Sequence, residues 1–266
     1  MGYILISNDD GVHADGLPPL VEAVQQFAEV KVVVPLEDCS GFSNKLTLNK
    51  PLVPKTVHNG YIAVPGTPSD CVYLACQGMF EQEPDFVVSG INAGANLGDS
   101  VLYSGTVAAA LEGRFLQKSA IAISLDGVQH YSTAAYVARY LLTHWHEFNL
   151  PQPAVLNVNV PDVPLDDVQG FKITRLGQRA RANPVVLHAN PRGEQGYWIG
   201  HAGKGIQAQD TDFEAVAQNF VSLTPLSIDM THHALRTAMQ PLCDQLHNAK
   251  TQCLADREQQ AQAGRA

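Results

Sequence analysis

Short β-branched runs alternate with segments of helical spacing through the first half of the chain. The strand-like runs lie at 3–7, 30–34, 86–89, 120–125 and 154–160. The helical patterns lie at 17–28, from Thr67 onward, at 106–116 and at 133–148. Strands that are joined through helices pair in parallel and need cover on both faces. The sequence therefore predicts an α/β fold with a mostly parallel sheet that is flanked by helices.

The pattern changes after Pro161. Short strand-like pieces at 171–176, 197–199 and 220–223 lie among Gly, Pro and Asn, and a helical pattern follows at 231–248. The segment beyond Thr251 is rich in Gln and Ala and poor in large apolar residues, which is typical of a frayed end. We therefore predict a core at 1–170, a β-rich arm with a C-terminal helix packed on the core at 171–248, and a flexible tail at 249–266.

Charge and cysteine content exclude several classes of protein. The net charge is -9, from 17 basic and 26 acidic residues, so no basic surplus favours binding to a nucleic-acid polymer. The 5 cysteines are odd in number and form no C-x-x-C pair, which argues against a disulfide framework and a zinc knuckle. No apolar run approaches the roughly 20 residues of a membrane helix, and the first residues already read as a strand. We expect a cytoplasmic protein without a membrane partner.

Polar, glycine-rich loops follow several of the predicted strands, at 8–11, 37–44 and 90–99. Ligands of open α/β sheets gather at the carboxyl ends of strands, where these loops would meet. Asp9 and Asp10 alone are best read as part of a turn. Adjacent carboxylates repel unless a cation lies between them, and the neighbouring loops make a metal site the favoured interpretation. The oxygen ligands Asp9, Asp10, Ser40 and Asn92 suit Mg²⁺, Ca²⁺ or Mn²⁺ better than zinc.

A predicted helix begins after Tyr103-Ser104-Gly105-Thr106. The amides of a first helical turn are unpaired and attract anions. A phosphate could bind the amides of Gly105 and Thr106 and the hydroxyls of Ser104 and Thr106, with Asn96 as a further donor. Taken alone, the same residues are more often an ordinary N-cap.

Other motifs carry less weight. Gly203 to Ala208 fits G-x-G-x-x-A but neither follows a buried strand nor opens a helix, so we discard it as a dinucleotide site. Asp210-Thr211-Asp212 lacks the apolar strand of a phospho-aspartate motif and is better read as a turn or helix cap. His13 is interpreted as an exposed loop residue rather than a proton donor. The sequence contains neither a G-x-S-x-G elbow nor a Walker P-loop.

The ordered set of motifs resembles the SurE family, the stationary-phase survival proteins, over about residues 3–230. The pieces that carry the resemblance are Asn8-Asp9-Asp10-Gly11, Ser40-Gly41 with Ser43-Asn44, Gly66-Thr67-Pro68, Val88-Ser89-Gly90-Ile91-Asn92-Ala93-Gly94 and Tyr103-Ser104-Gly105-Thr106-Val107. Later pieces are Pro191-Arg192-Gly193, Tyr197-Trp198-Ile199-Gly200, Thr211-Asp212-Phe213 and Ser222-Leu223-Thr224-Pro225-Leu226. Lys45 and the long tail depart from that family's pattern.

The resemblance implies a Rossmann-like core with a β-rich arm that exchanges between subunits, giving a homodimer or homotetramer. It implies one divalent cation per subunit, with Mg²⁺ and Mn²⁺ favoured over other divalent ions, bound by Asp9, Asp10, Ser40 and Asn92. It also implies hydrolysis of nucleoside 5'- and 3'-monophosphates, and in some members of short polyphosphate.

The sequence leads to a hypothesis of metal-assisted hydrolysis by bound water. Asp9 and Asp10 would hold the metal, and Asn96, Ser104, Gly105 and Thr106 would stabilise charge on the phosphoryl oxygens. In a rival version an aspartate is the nucleophile. A different class, a nucleotide- or polyphosphate-binding protein without turnover, would use the same acids and amides. A Rossmann oxidoreductase is disfavoured because its glycine fingerprint is missing from the first strand–helix turn.

Overall fold

Strands and helices form where the sequence alternates between β-branched and helical patterns. The computed structural model describes residues 2–57 and 59–263, with the backbone alone at 252, 255, 256 and 258–263. The strands are β1 (Ile4–Ser7), β2 (Val30–Pro35), β3 (Lys55–Thr56), β4 (Ile62–Val64), β5 (Phe86–Ala93), β6 (Ser119–Asp126), β7 (Val155–Pro161), β8 (Phe171–Ile173), β9 (Val186–Ala189), β10 (Gln195–Trp198) and β11 (Val221–Pro225). The helices are α1 (Leu17–Gln25), α2 (Pro68–Cys76), α3 (Gly105–Phe115), α4 (Tyr131–Thr143), α5 (Asp212–Ala217), α6 (His233–Ala238) and α7 (Gln240–Ala263).

The chain divides into two compact units, Met1–Leu226 and Ser227–Ala266. In the first unit the described residues form a 9-stranded sheet in the order β3-β4-β2-β1-β5-β6-β7-β11-β8. The central strands are parallel, whereas β3 runs antiparallel to β4, and β11 runs antiparallel to β7. The predicted mostly parallel, Rossmann-like α/β core is confirmed. Strand order reverses between β1 and β5, which makes their carboxyl ends the topological switch point.

Alternate residues of the central strands supply a core on each face of the sheet. Ile6 of β1 packs among α1 and α4, whose buried residues include Leu20 and Leu141. Its neighbour Leu5 points to the other face, where α2 and α3 contribute Val72 and their alanines. Burial of one such leucine or isoleucine contributes about 1.5–3 kcal/mol. Both faces of the sheet are therefore covered, as the near-continuous apolar strands require.

Several boundaries differ from the predicted ones. The strand predicted at 86–89 continues to Ala93 through a change of register between Ser89 and Asn92. The helix predicted at 133–148 ends as α4 at Thr143, and a 3-10 turn spans Trp145–Phe148. The Trp145 ring in this turn packs edge-on against Phe86 of β5, with the ring centroids 4.8 Å apart.

The C-terminal half contains the predicted short strands, but they belong to different sheets. Strands β8 and β11 extend the main sheet beyond β7, whereas β9 and β10 form a separate antiparallel hairpin. The domain boundary at 170 and the exchange of the arm between subunits stay predictions.

The helix predicted at 231–248 was wrong in its extent, since the second unit holds two helices, α6 and α7. Pro241 lies at the start of α7, where a proline is tolerated and the preceding helix cannot continue. Helix α7 runs past Asn248 to Ala263 because Ala, Gln, Glu and Arg are good helix formers. The flexibility of the tail stays a prediction, and residues 264–266 lie outside the described residues. In the part of the chain that the structure describes, no helix combines the length and apolarity needed to cross a membrane.

Candidate active site

The switch point carries the turn that sequence reasoning assigned to Asp9 and Asp10. The Asn8 side chain closes this turn by donating to the Gly11 carbonyl at 2.8 Å and accepting from the Gly11 amide at 3.2 Å. Gly11 has a φ of 88°, and a Cβ there would lie 3.0 Å from the Glu37 carbonyl. Glycine is therefore needed both for the turn and for its close approach to the loop after β2. The Asp9 carbonyl accepts from the Cys39 amide at 2.8 Å, which fixes that loop beside the turn.

Asp9 is buried against the start of α3. Its Oδ1 accepts from the Thr106 hydroxyl at 2.5 Å. A Cβ on Gly105 would lie 2.7 Å from the Asp9 Cβ and 2.8 Å from its Oδ2. The Asp9 carboxylate is thus in direct contact with the predicted phosphate-binding turn at 104–106, which we call the phosphate seat. The sequence hypothesis requires this contact.

Asp10 is bound to the end of β5, the strand that carries Asn92. The Asp10 Oδ2 accepts from the Ala93 amide at 3.0 Å, so this carboxylate is tied to the end of β5. The Asn92 side-chain nitrogen donates to the Gly94 carbonyl at 2.7 Å, which leaves its oxygen as the available ligand atom. The predicted ligands Asp9, Asp10 and Asn92 therefore lie on adjoining strand ends.

Ser40 lies at the same rim but is directed elsewhere. Its hydroxyl donates to the Asp38 Oδ1 at 2.6 Å, and the Ser40 amide donates to the same oxygen at 2.8 Å. The backbone of its neighbour Cys39 touches Asp9, so Ser40 belongs to the rim through its loop. To bind a cation, the Ser40 hydroxyl oxygen would use its lone pairs, either while its proton stays bonded to Asp38 or after that hydrogen bond is broken.

Ser104 is the N-cap of α3, as the more conservative interpretation held. Its hydroxyl oxygen accepts from the Val107 amide at 3.1 Å. The amides of Gly105 and Thr106 precede Val107 in the first turn, where helical amides have no intrahelical acceptor. Because the Thr106 hydroxyl donates to Asp9, the anion-binding capacity of this turn lies mainly in its backbone.

Asn96 is held in a polar network that sequence reasoning missed. The backbone amide of Asn96 donates to the Asn159 Oδ1 at 2.8 Å. Its backbone carbonyl accepts from the side-chain nitrogens of Asn157 at 2.8 Å and Asn159 at 3.1 Å. The Asn96 side chain donates to the Ser124 hydroxyl at 2.9 Å and approaches the Thr106 hydroxyl at 3.4 Å. A signal existed in the sequence, since Asn157 and Asn159 alternate within an otherwise apolar strand and so face the same side.

The two carboxylates lack a compensating positive charge. Burial raises the pKa of Asp10 to about 6, and the charges of Asp9 and Asp38 add to this effect. Burial also raises the pKa of Asp9, although hydrogen bonds from Thr106 oppose the increase. Among the ion pairs of the described residues, none involves either group. Buried carboxylates without a cationic partner fit a site for a cation.

The described residues contain no cluster of three or more His, Cys, Asp or Glu side chains placed to hold a metal. That is compatible with the predicted set, which has only two carboxylates and otherwise neutral oxygens. His13 is exposed, and Asp212 begins α5 behind the N-cap Thr211, so the interpretations of His13 as an exposed loop residue and of 210–212 as a turn or helix cap are confirmed.

Fold and site together define a Rossmann-like α/β protein in which paired carboxylates at the switch point adjoin an anion-attracting helix start. The family described as Survival protein SurE matches residues 4–183. The chain belongs to the SurE family.

Relatives of known name match nearly the whole chain. A 5'-nucleotidase SurE of Ectopseudomonas mendocina is 55% identical over 238 residues, 88% of this chain and 96% of that protein. A 5'-nucleotidase SurE of Legionella pneumophila is 50% identical over 246 residues, 91% of this chain and 98% of that protein. The crystal structure of the SurE protein from Aquifex aeolicus superposes with a TM-score of 0.79 at 36% identity, covering 90% of this chain and 98% of the other. The expected family and fold are confirmed.

Proposed function

We propose that this protein is a metal-dependent phosphomonoesterase that hydrolyses nucleoside 5'- and 3'-monophosphates to nucleoside and phosphate, with short polyphosphate as a further substrate. Similarity to proteins named 5'-nucleotidase over most of the chain supports the reaction class. The observation that carries the proposal is the contact of Asp9 with Gly105 and Thr106. This contact joins the proposed cation site to the phosphate seat, and phosphoryl transfer needs both elements.

The cation would be one Mg²⁺ or Mn²⁺ per subunit, held by Asp9, Asp10, Asn92 and Ser40. Oxygen ligands of this kind suit hard divalent cations. When bound, such an ion polarises the phosphoryl group and lowers the pKa of water. Asp10 is held by the Ala93 amide and Asp9 by Thr106, so both carboxylates are preorganised by the protein.

The chain's own residues would orient the phosphate. The amides of Gly105 and Thr106 would donate to the phosphoryl oxygens, and Ser104 would hold the helix start that presents them. Asn96 would place its side chain beside the same group, with its backbone fixed by Asn157 and Asn159. In the version we favour, water attacks phosphorus directly and one of the two aspartates accepts its proton. Trapping a phospho-aspartate during turnover would contradict that version.

Phosphate release tests the function. The purified protein with Mn²⁺ or Mg²⁺ should release inorganic phosphate from AMP, from 3'-AMP and from other nucleotides, and Asp9→Asn should abolish release. Tight nucleotide binding without phosphate release by the wild-type protein would instead support the alternative, a non-catalytic Mg-nucleotide- or polyphosphate-binding protein.

The β9–β10 hairpin supports a proposal about assembly. Its large side chains are exposed in the single chain, with Tyr197 at 71% and Trp198 at 65% of their full accessibility. Exposed apolar surface of this kind marks interaction sites. We expect a cytoplasmic homodimer or homotetramer in which residues 171–248 carry the contact, and light scattering of Trp198→Ser against the wild type would test it.

A further inference from the structure

The motif Thr211-Asp212-Phe213 has no part in the function proposed above, yet it contacts the segment that leads to the phosphate seat. Asp212 is fully buried. Its Oδ2 accepts from the Gly98 amide at 2.6 Å, and its Oδ1 accepts from the amides of Gly177 at 2.8 Å and Phe213 at 2.9 Å. A carboxylate that accepts several backbone amides forms strong, charge-assisted bonds.

The Phe213 ring fills a space that three glycines leave open. A Cβ on Gly98, Gly177 or Gly205 would lie 2.6, 2.5 or 2.4 Å from atoms of this ring. Each of these glycines therefore allows its backbone to approach the aromatic ring closely. The ring and the Asp212 carboxylate together form what we call the Asp212–Phe213 clamp.

A second tether reaches the same segment from Arg179. Its Nε donates to the Ser100 hydroxyl at 2.5 Å, and its guanidinium lies over the Phe213 ring at 5.0 Å. Arg179 also donates to the Gly203 carbonyl at 3.1 Å. The clamp is thus linked to both Gly98 and Ser100.

The held segment is a 3-10 turn, Gly98–Leu102, that lies between two parts of the predicted phosphate site. Asn96 precedes the turn by two residues, and the N-cap Ser104 follows it by two residues. Successive hydrogen bonds carry the chain through it, with the Tyr103 amide bound to the Ser100 carbonyl at 2.9 Å. A shift of the turn would therefore move Asn96 relative to the amides of Gly105 and Thr106.

We propose that Asp212 is a positioning residue, which through the Asp212–Phe213 clamp sets the spacing between Asn96 and the start of α3 and so tunes affinity for the phosphoryl group. The proposal rests on the proposed phosphomonoesterase function. It assigns no contact with substrate to Asp212. In the described part of the chain the clamp residues make no hydrogen bond to Asp9 or Asp10, and they reach Asp9 only through Thr106 at the start of α3. Loss of the clamp should therefore change phosphate affinity more than metal affinity.

Asp212→Asn is the principal test, because an asparagine can accept at only one of the two positions where Asp212 accepts amides. Four quantities are measured for the full-length protein: the inhibition constant of inorganic phosphate, kcat/KM, the half-saturating Mn²⁺ concentration and Tm. We expect phosphate inhibition to weaken about tenfold and kcat/KM to fall by a similar factor, as the loss of positioning through a charged hydrogen bond predicts. The half-saturating Mn²⁺ concentration should change by a smaller factor than the inhibition constant of phosphate.

Asp70→Asn is the matched control. Asp70 is also buried and accepts amides, but from Thr47 and Thr67. It should lower Tm without changing phosphate inhibition. Ser100→Ala serves as a milder second variant, since it removes only the Arg179 tether, and it should weaken phosphate inhibition about two- to fivefold should Asp212→Asn fail to fold.

The outcomes are distinct. Phosphate inhibition that matches the wild type in the folded Asp212→Asn protein, or in Ser100→Ala when Asp212→Asn does not fold, overturns the proposal. A rise in the half-saturating Mn²⁺ concentration that exceeds the change in phosphate inhibition overturns it as well, because the main effect would then lie at the carboxylates. Failure of the underlying function is recognised separately, since the wild-type protein would then release no phosphate.

Discussion

The Thr106 hydroxyl donates a 2.5 Å hydrogen bond to the Oδ1 of Asp9. It links the first residues of α3 to the turn after β1, two elements far apart in the sequence. One residue thereby serves both halves of the proposed site, because its hydroxyl holds a carboxylate while its amide belongs to the anion-attracting turn. Loss of that hydroxyl should disturb metal binding before it disturbs the fold.

Thr106→Val should lower kcat/KM by about 10- to 100-fold, the usual effect of losing a hydrogen bond that orients a metal ligand. Valine keeps the shape of threonine but cannot donate to Asp9. Steady-state kinetics at several Mn²⁺ concentrations should show a raised metal requirement. Thr133→Val is the matched control, since Thr133 is buried and its hydroxyl donates to the Val163 carbonyl, away from the site. Equal losses in both variants would indicate a general effect of buried threonines.

Gly105→Ala should inactivate the enzyme while leaving the fold intact. The added methyl group would lie 2.7 Å from the Asp9 Cβ, closer than side-chain atoms approach, so Asp9 or the start of α3 must move. A displacement of about 1 Å at reacting groups costs on the order of 10²-fold in rate. Circular dichroism should be unchanged while phosphate release falls.

Gly196→Ala controls for the effect of an added methyl group. The nearest atom to a Cβ there is the His188 carbonyl oxygen at 4.0 Å, an ordinary contact. This variant should retain wild-type activity. A Gly105→Ala enzyme with wild-type kcat and KM would show that Asp9 does not need its position against α3.

Asp10 predicts a pH dependence of stability in the metal-free protein. Its folded pKa of about 6 lies above the ordinary 3.8, so folding disfavours its ionised form. The resulting loss of folding stability is absent below about pH 4, grows as pH rises and is complete above pH 6. Asp10→Asn should therefore raise the free energy of unfolding at pH 7.5 by about 1–2 kcal/mol, a figure reduced for partial exposure of the group.

Urea unfolding in the presence of EDTA measures this difference. At pH 3.5 wild type and Asp10→Asn should unfold alike, and they should diverge as pH rises through 6. Asp15→Asn, a change at an exposed carboxylate of the same loop, should show no divergence. An Asp10→Asn protein that is less stable than the wild type at pH 7.5 would indicate that the ionised Asp10 carboxylate stabilises the fold even without a metal.

Asn159→Asp tests the network that holds Asn96. The Asn159 side chain both accepts from the Asn96 amide and donates to its carbonyl, and an aspartate can only accept when ionised. We expect a loss of about 1–3 kcal/mol in stability from the unpaired buried groups, together with weaker phosphate inhibition. Thermal unfolding and inhibition assays measure the two effects. Unchanged phosphate inhibition would separate Asn96 from the phosphate site.

Local patterns in the sequence were enough to predict the core of the fold. The runs around Leu5, Val33 and Ile121 are β-branched and bounded by turn residues, and they became the central parallel strands. The Thr67-Pro68-Ser69-Asp70 segment predicted a capped helix, and both bonds of a capping box are present. Such signals are readable because they act within a few residues.

Long-range relations were not readable in this way. The sequence predicted that Asp9, Asp10 and Asn92 lie at one rim of the sheet. It also predicted that the Thr106 hydroxyl binds phosphate, whereas that hydroxyl donates to Asp9. It also could not show that Ser40 would bond to Asp38, because that choice depends on the path of an exposed loop. The hydrogen bond that the Gly98 amide donates to Asp212 spans 114 residues and has no local signature.

Electron paramagnetic resonance of Mn²⁺ tests the central claim that Asp9 and Asp10 hold the catalytic cation. Titration of the metal-free protein should show one bound Mn²⁺ per subunit in the wild type and in Asp126→Asn, a matched change at the carboxyl end of β6. In Asp9→Asn and Asp10→Asn affinity should fall by at least about tenfold, together with phosphate release. Wild-type Mn²⁺ binding by both of these variants would contradict the account, since the cation would then lie elsewhere.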